Sequence, residues 1–153
     1  MESLHARTRI LWIVSGLLWG AVAAFVLLAV DRWLYDVPAE ALGGAVLVVS
    51  LLGAVYGFRR YQVWRFEIQP DALYLERGVI TFVETAVPFV RVQHVDTQFG
   101  PLERALGLSS VVVYTAGSRN ADVRVPGLRP ERARKLQDTL RELAVESETE
   151  DAV

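Results

Sequence analysis

The chain has 153 residues, is 52% apolar and carries a formal net charge of −2. It contains no cysteine, which excludes disulfides, thiolate nucleophiles and cysteine-based zinc or iron–sulfur sites. The charge is uneven: residues 59–145 hold thirteen Arg or Lys against ten Asp or Glu, and the last eight residues hold four acids and no base.

Residues 1–9 read as a cytoplasmic N-terminal tail containing His5, Arg7 and Arg9. Residues 10–30 carry no charge, and as a helix they reach about 31 Å, enough for a bilayer core about 30 Å thick. A cleaved signal is the competing account, with Ala21-Val22-Ala23 resembling a cleavage motif. The apolar run continues through Phe25, Val26, Leu27 and Leu28, however, where a signal would turn polar. Residues 31–37 are expected to form a short external loop.

A second transmembrane helix is expected over 38–58. Asp36 is placed to cap it, Pro38 suits its first turn, and Glu40 lies at the positive end of the helix dipole. Gly16 and Gly20, like Gly53 and Gly57, stand four apart, a spacing that lets two helices pack closely in lipid. Basic residues set orientation. Arg7 and Arg9 precede the pair and Arg59, Arg60 and Arg65 follow it, so both termini are expected in the cytoplasm.

From residue 61 to 145 the pattern becomes that of a soluble domain. Trp64, Phe66 and Ile68 alternate with Arg65 and Glu67, and further short strands are expected over 72–77, 79–87, 90–95, 110–115 and 122–125. Gly100-Pro101 opens a short helical segment over 102–106, residues 116–120 suggest a hairpin turn, and Pro126-Gly127 is expected to end the sheet. After Pro130, Ala133, Leu136, Leu140 and Leu143 form one apolar helical stripe. Residues 146–153 are too acidic to pack and are expected to be a disordered tail. The fold class expected is a membrane helical hairpin joined to a mainly-β barrel of the pleckstrin-homology (PH) type, closed by the C-terminal amphipathic helix.

Several short motifs in order carry a resemblance. They are Trp64, Leu73-Tyr74-Leu75 with Arg77-Gly78, Val87-Pro88 with Arg91-Val92-Gln93, Gly100-Pro101-Leu102-Glu103-Arg104 with Leu106-Gly107-Leu108, the run VVVYTAG from Val111, and Pro126-Gly127-Leu128. With these and its paired spans, the chain resembles the YdbS-like family of bacterial and archaeal membrane proteins with a PH-like domain. The resemblance implies the fold and membrane attachment, and no particular biochemical activity.

The residues themselves argue against catalysis. His94 shares a strand face with Asp96, but no Ser or Cys stands beside the pair in sequence, and the adjacent Thr97 falls on the opposite strand face. A metal ligand set and a glycine-rich phosphate loop are both absent from the sequence pattern, so no catalytic residue, cofactor or metal is expected. Surface recognition remains. Arg59, Arg60, Tyr61, Trp64 and Arg65 are candidate contacts to the membrane surface, and Arg91, His94 and Arg104 a candidate interaction surface. The function expected is a non-enzymatic module at the cell membrane, assembling with a protein partner or with copies of itself. The alternative is binding of anionic headgroups through the juxtamembrane arginines. The expected partners are therefore membrane lipids and protein. With no basic stripe interleaved with aromatics, nucleic acid is not expected.

Overall fold

The computed structural model describes residues 1–34, 38–117 and 122–151. They fall into two units: Arg9–Gln62, and Met1–Thr8 together with the chain from Val63 onward.

The first unit holds most of two long helices, α1 (Thr8–Leu34) and α2 (Ala39–Val63). Both are long and apolar enough to cross a membrane, over 26 and 25 residues, and little of their apolar surface is buried within the protein. They overrun the spans expected at 10–30 and 38–58, because the charged flanks keep helical geometry. Pro38 contributes its carbonyl to the amides of Ala41 and Leu42, so it stands at the head of α2. Asp36, expected to cap this helix, lies outside the described residues.

The second unit begins at the N-terminus. The strands β1 (Glu2–Ser3), β2 (Arg65–Ile68), β3 (Ala72–Arg77) and β4 (Val83–Pro88) form one antiparallel sheet in that order. A single 3-10 turn, Phe89–Arg91, leads into β5 (Val92–Gln98), and α3 (Pro101–Ala105) precedes β6 (Ser109–Thr115) and β7 (Val123–Leu128). These three strands form a second antiparallel sheet, and α4 (Pro130–Asp151) packs on β5 and β6.

Burial follows the strand phase. Phe66, Leu73 and Leu75 point inward from β2 and β3, while the central strand β6 buries Val111, Val112 and Val113 together. Ala133, Leu136 and Leu140 supply the buried face of α4, as their spacing predicts.

Several expectations are corrected. The strands form two separate sheets, and among the described residues no pairing closes them into the expected barrel. Residues 1–9 are not a free tail, because Glu2 and Ser3 pair with Phe66 and Arg65, and Leu4 is buried. The acidic segment is helical as far as Asp151, as an extension of α4 that lies beyond its buried stripe. Residues 79–82 leave the strand expected there, since Gly78 at φ +104° turns the chain. Pro126-Gly127 does not end the sheet. Proline is tolerated because β7 is an edge strand. Residues 118–120 of the expected hairpin turn, Arg119 among them, and the last two residues lie outside the described part.

Candidate functional site

Within the helical unit, the glycines form the seam between α1 and α2. A Cβ on Gly16 would collide with the Gly53 carbonyl, and one on Gly53 would sit 2.6 Å from the Gly16 carbonyl oxygen. One turn away, a Cβ on Gly20 would lie 2.9 Å from the Ser50 Cα, and one on Gly57 would strike the Trp12 carbonyl. Glycine is required at these points by backbone approach. Gly43 and Gly44, by contrast, face open space. Beside the seam runs a cleft of about 420 Å³ flanked by Trp12, Trp19 and Tyr56. Arg60 lies at its edge, with the guanidinium carbon 4.6 Å from the centre of the Trp12 ring.

The candidate membrane-surface residues divide. Arg59, Arg60 and Arg65 are exposed, and Tyr61 is half-buried. Trp64 does not belong with them. It is 4% exposed and meets Phe66 edge to face at 6.3 Å, so it is a core residue at the start of the soluble unit.

The second candidate surface is not brought together as one patch of contacts. Arg91 and Arg104 are both exposed. His94 Nε2 stands 2.7 Å from Asp96 Oδ1, the same-face pairing expected of the strand, and its ring lies 5.6 Å from that of Tyr114. His94 also borders a groove of about 180 Å³ between β5 and α4, where Arg141 and Glu148 project. Among the described residues no cluster of three or more His, Cys, Asp or Glu is arranged to hold a metal.

Sequence reasoning missed three polar fixtures of the domain. Glu103, one residue before the candidate Arg104, is buried and accepts the Gly100 amide at 2.9 Å and the Arg124 Nη2 at 3.4 Å. Its spacing three residues after Gly100 was the available signal. Gln137 accepts the Thr97 hydroxyl and donates to the Val95 carbonyl at 2.7 Å, which satisfies the edge of β5 from α4.

The third fixture is the N-terminal segment. His5 donates its amide to the Gly127 carbonyl at 3.0 Å, and the Thr8 hydroxyl donates to the same oxygen at 3.1 Å. Gly127 has φ +65°, and a Cβ there would strike Thr8. Arg7 reaches the Leu106 carbonyl at 3.2 Å. Arg132 grips Glu2 through two N–H groups, and this hydrogen bonding pushes its guanidinium pKa further up. Partial burial, then the Arg129 and Arg7 charges, hold the His5 imidazole below its ordinary pKa.

Comparison with known proteins accords with this architecture. A family model described as "Bacterial PH domain" matches residues 8–144. The UPF0699 transmembrane protein YdbS of Bacillus subtilis (strain 168) is 30% identical over 143 residues, covering 87% of this chain and 86% of that protein. No solved structure matches the chain. The resemblance drawn from the short motifs is borne out, and with its two apolar helices the protein is a membrane-associated module carrying a PH-like domain. The chain belongs to the bacterial PH domain family.

Proposed function

We propose that this protein is a non-enzymatic interaction module, anchored by a two-span hairpin with both termini in the cytoplasm, that assembles with other membrane proteins or further copies of itself. The observation that carries this reading is the cleft beside the glycine seam. The glycines are consumed in joining α1 to α2, while Trp12, Trp19 and Tyr56 flank an open space suited to side chains of a neighbouring transmembrane helix. The same-side placement of the termini is supported by the folding of Met1–Thr8 into one unit with the chain from Val63 onward. A non-enzymatic role is supported by the setting of His94 and Asp96, which pair with each other on the exposed face of β5 beside the Tyr114 ring.

Purification in mild detergent, with mass measurement of the intact assembly, tests the reading. A discrete complex above the 17.1 kDa chain mass is expected, and Trp19→Ala with Tyr56→Ala should dissociate it. A monomer under all such conditions, in bilayer discs as well as detergent, would sink the proposal.

A second reading, lipid response through the juxtamembrane arginines, is favoured by the exposure of Arg59, Arg60 and Arg65. A fragment beginning at Arg65 would lack β1, so the full chain in discs of anionic or neutral lipid is the proper material. Stability that depends on anionic lipid and is lost in Arg59→Ala with Arg60→Ala would support this reading.

A further inference from the structure

The turn between β3 and β4 displays apolar side chains outward. Ile80 is 90% exposed and Phe82 55%, and Val83 at the start of β4 is exposed as well. The turn has a defined shape. Gly78 takes φ +104°, and a Cβ there would strike the Thr81 carbonyl, so the backbone doubles back tightly beneath the exposed side chains.

Strand register places this turn at one particular end of the sheet. Arg65, two residues after the end of α2, pairs with Glu76, and Arg77 pairs with Val83. Ser3, five residues before the start of α1, also pairs with Arg65. Both membrane helices therefore connect at the Arg65 end of the sheet. Strand β3 runs back toward that same end, and residues 78–82 are its tip. At about 3.4 Å per strand residue, the tip projects roughly 10 Å past the level of Arg65.

We propose that the turn at residues 78–82 enters the interfacial layer of the bilayer that holds α1 and α2, with Ile80 and Phe82 as the inserted side chains. This goes beyond the assembly reading, because it assigns the domain a membrane contact of its own. An apolar tip with this exposure needs cover, and it lies at the sheet end to which the membrane anchors are covalently joined. The charges around it are Arg65 and Arg77 against Glu76 and Glu84. They balance, so insertion is driven by the apolar side chains and is insensitive to salt.

The chain has no cysteine, so single labels are unambiguous. The full chain carrying Ile80→Cys, labelled with an environment-sensitive fluorophore, is reconstituted in vesicles of phosphatidylethanolamine and phosphatidylglycerol. Leu51→Cys on α2 serves as the membrane reference, and Asp71→Cys, in the turn at the opposite end of the sheet, as the aqueous one. The expected result is blue-shifted emission at position 80, quenched by nitroxide-bearing lipid as at position 51 and unchanged in high salt. A label on Thr81→Cys should lose the shift when Ile80→Ser and Phe82→Ser are added. Emission at position 80 matching position 71, with position 51 still quenched by lipid, overturns the inserted turn and leaves the membrane anchor standing. A blue shift without lipid quenching overturns it too, because protein then covers the turn.

Discussion

Arg132 on α4 holds Glu2 on β1, with Nε donating to one carboxylate oxygen at 2.8 Å and Nη2 donating to the other, across 130 residues of sequence. This pairing fastens the segment that precedes α1 to the helix that ends the domain.

Both side chains of that pair are partly exposed, so its contribution is small despite the two-pronged geometry, about 0.5–1 kcal/mol. Arg132→Ala or Glu2→Ala should lower the melting temperature by roughly 2–6 °C, measured in detergent by intrinsic fluorescence. The double variant should cost no more than the larger single loss, because each single change already abolishes the same interaction. Additive losses would show that the two residues act separately.

The glycines of α1 and α2 make opposite predictions at neighbouring sites. Gly16→Val or Gly53→Val forces a side chain into facing backbone, and overpacking of this kind costs about 1–3 kcal/mol or more. Gly43→Ala and Gly44→Ala meet nothing within 4 Å and should stabilise α2 by about 0.5–1 kcal/mol each through helix propensity. Unfolding of the hairpin in mixed detergent micelles measures both. Equal effects at the two pairs of sites would remove the seam assigned to Gly16 and Gly53.

The seam was legible in sequence because a spacing of four repeats on one helix face whatever the surroundings. The cores of β2 and β3 and the stripe of α4 were legible for the same reason: Phe66, Leu75 and Leu136 obey a period, while β6 shows instead as a continuous apolar run through Val111, Val112 and Val113. The N-terminal fastening was not, because Glu2 and Ser3 are too few to show any alternation and their partners lie more than sixty residues away. Trp64 is not legible as a core residue, because an aromatic after a membrane span fits an interfacial belt as well as a core, and only burial distinguishes them. Arg104 stands out in sequence as a charge in a distinctive motif, while its neighbour Glu103 carries the buried contacts.

Glu103→Ala should therefore matter and Arg104→Ala should not. Removing the carboxylate leaves the Gly100 amide without its acceptor and takes Glu103 from Arg124 Nη2, while Arg124 Nε keeps the Ser110 hydroxyl, a loss of about 1–3 kcal/mol. The exposed Arg104 should change stability by no more than about 0.5 kcal/mol. Glu103→Gln keeps an acceptor for the Gly100 amide and should fall between them. Chemical denaturation of the full chain in detergent ranks the three.

The N-terminal fastening should also loosen with acid, and the sign follows from His5. Its Nδ1 accepts the Arg7 amide at 3.2 Å, which requires that nitrogen to be unprotonated. Partial burial, then the Arg129 and Arg7 charges, lower its pKa below the ordinary 6.5. The unfolded chain therefore binds more protons than the folded one in the window below about 6.5, so stability rises with pH there. The contribution of His5 is complete above about 6.5 and is lost as pH falls through the folded value. Glu67 acts in a lower window: its pKa lies below 4.5, held down first by the Gln69 hydrogen bond and then by the N-terminal ammonium. Its contribution is present above 4.5 and disappears beneath that. Hydrogen-exchange protection at residues 2–8, taken relative to the intrinsic rate at each pH, should thus fall between about pH 7 and pH 5 before any change attributable to Glu67. His5→Gln retains an acceptor that does not titrate and should flatten the first step. An unchanged profile in that variant would assign the acid sensitivity elsewhere.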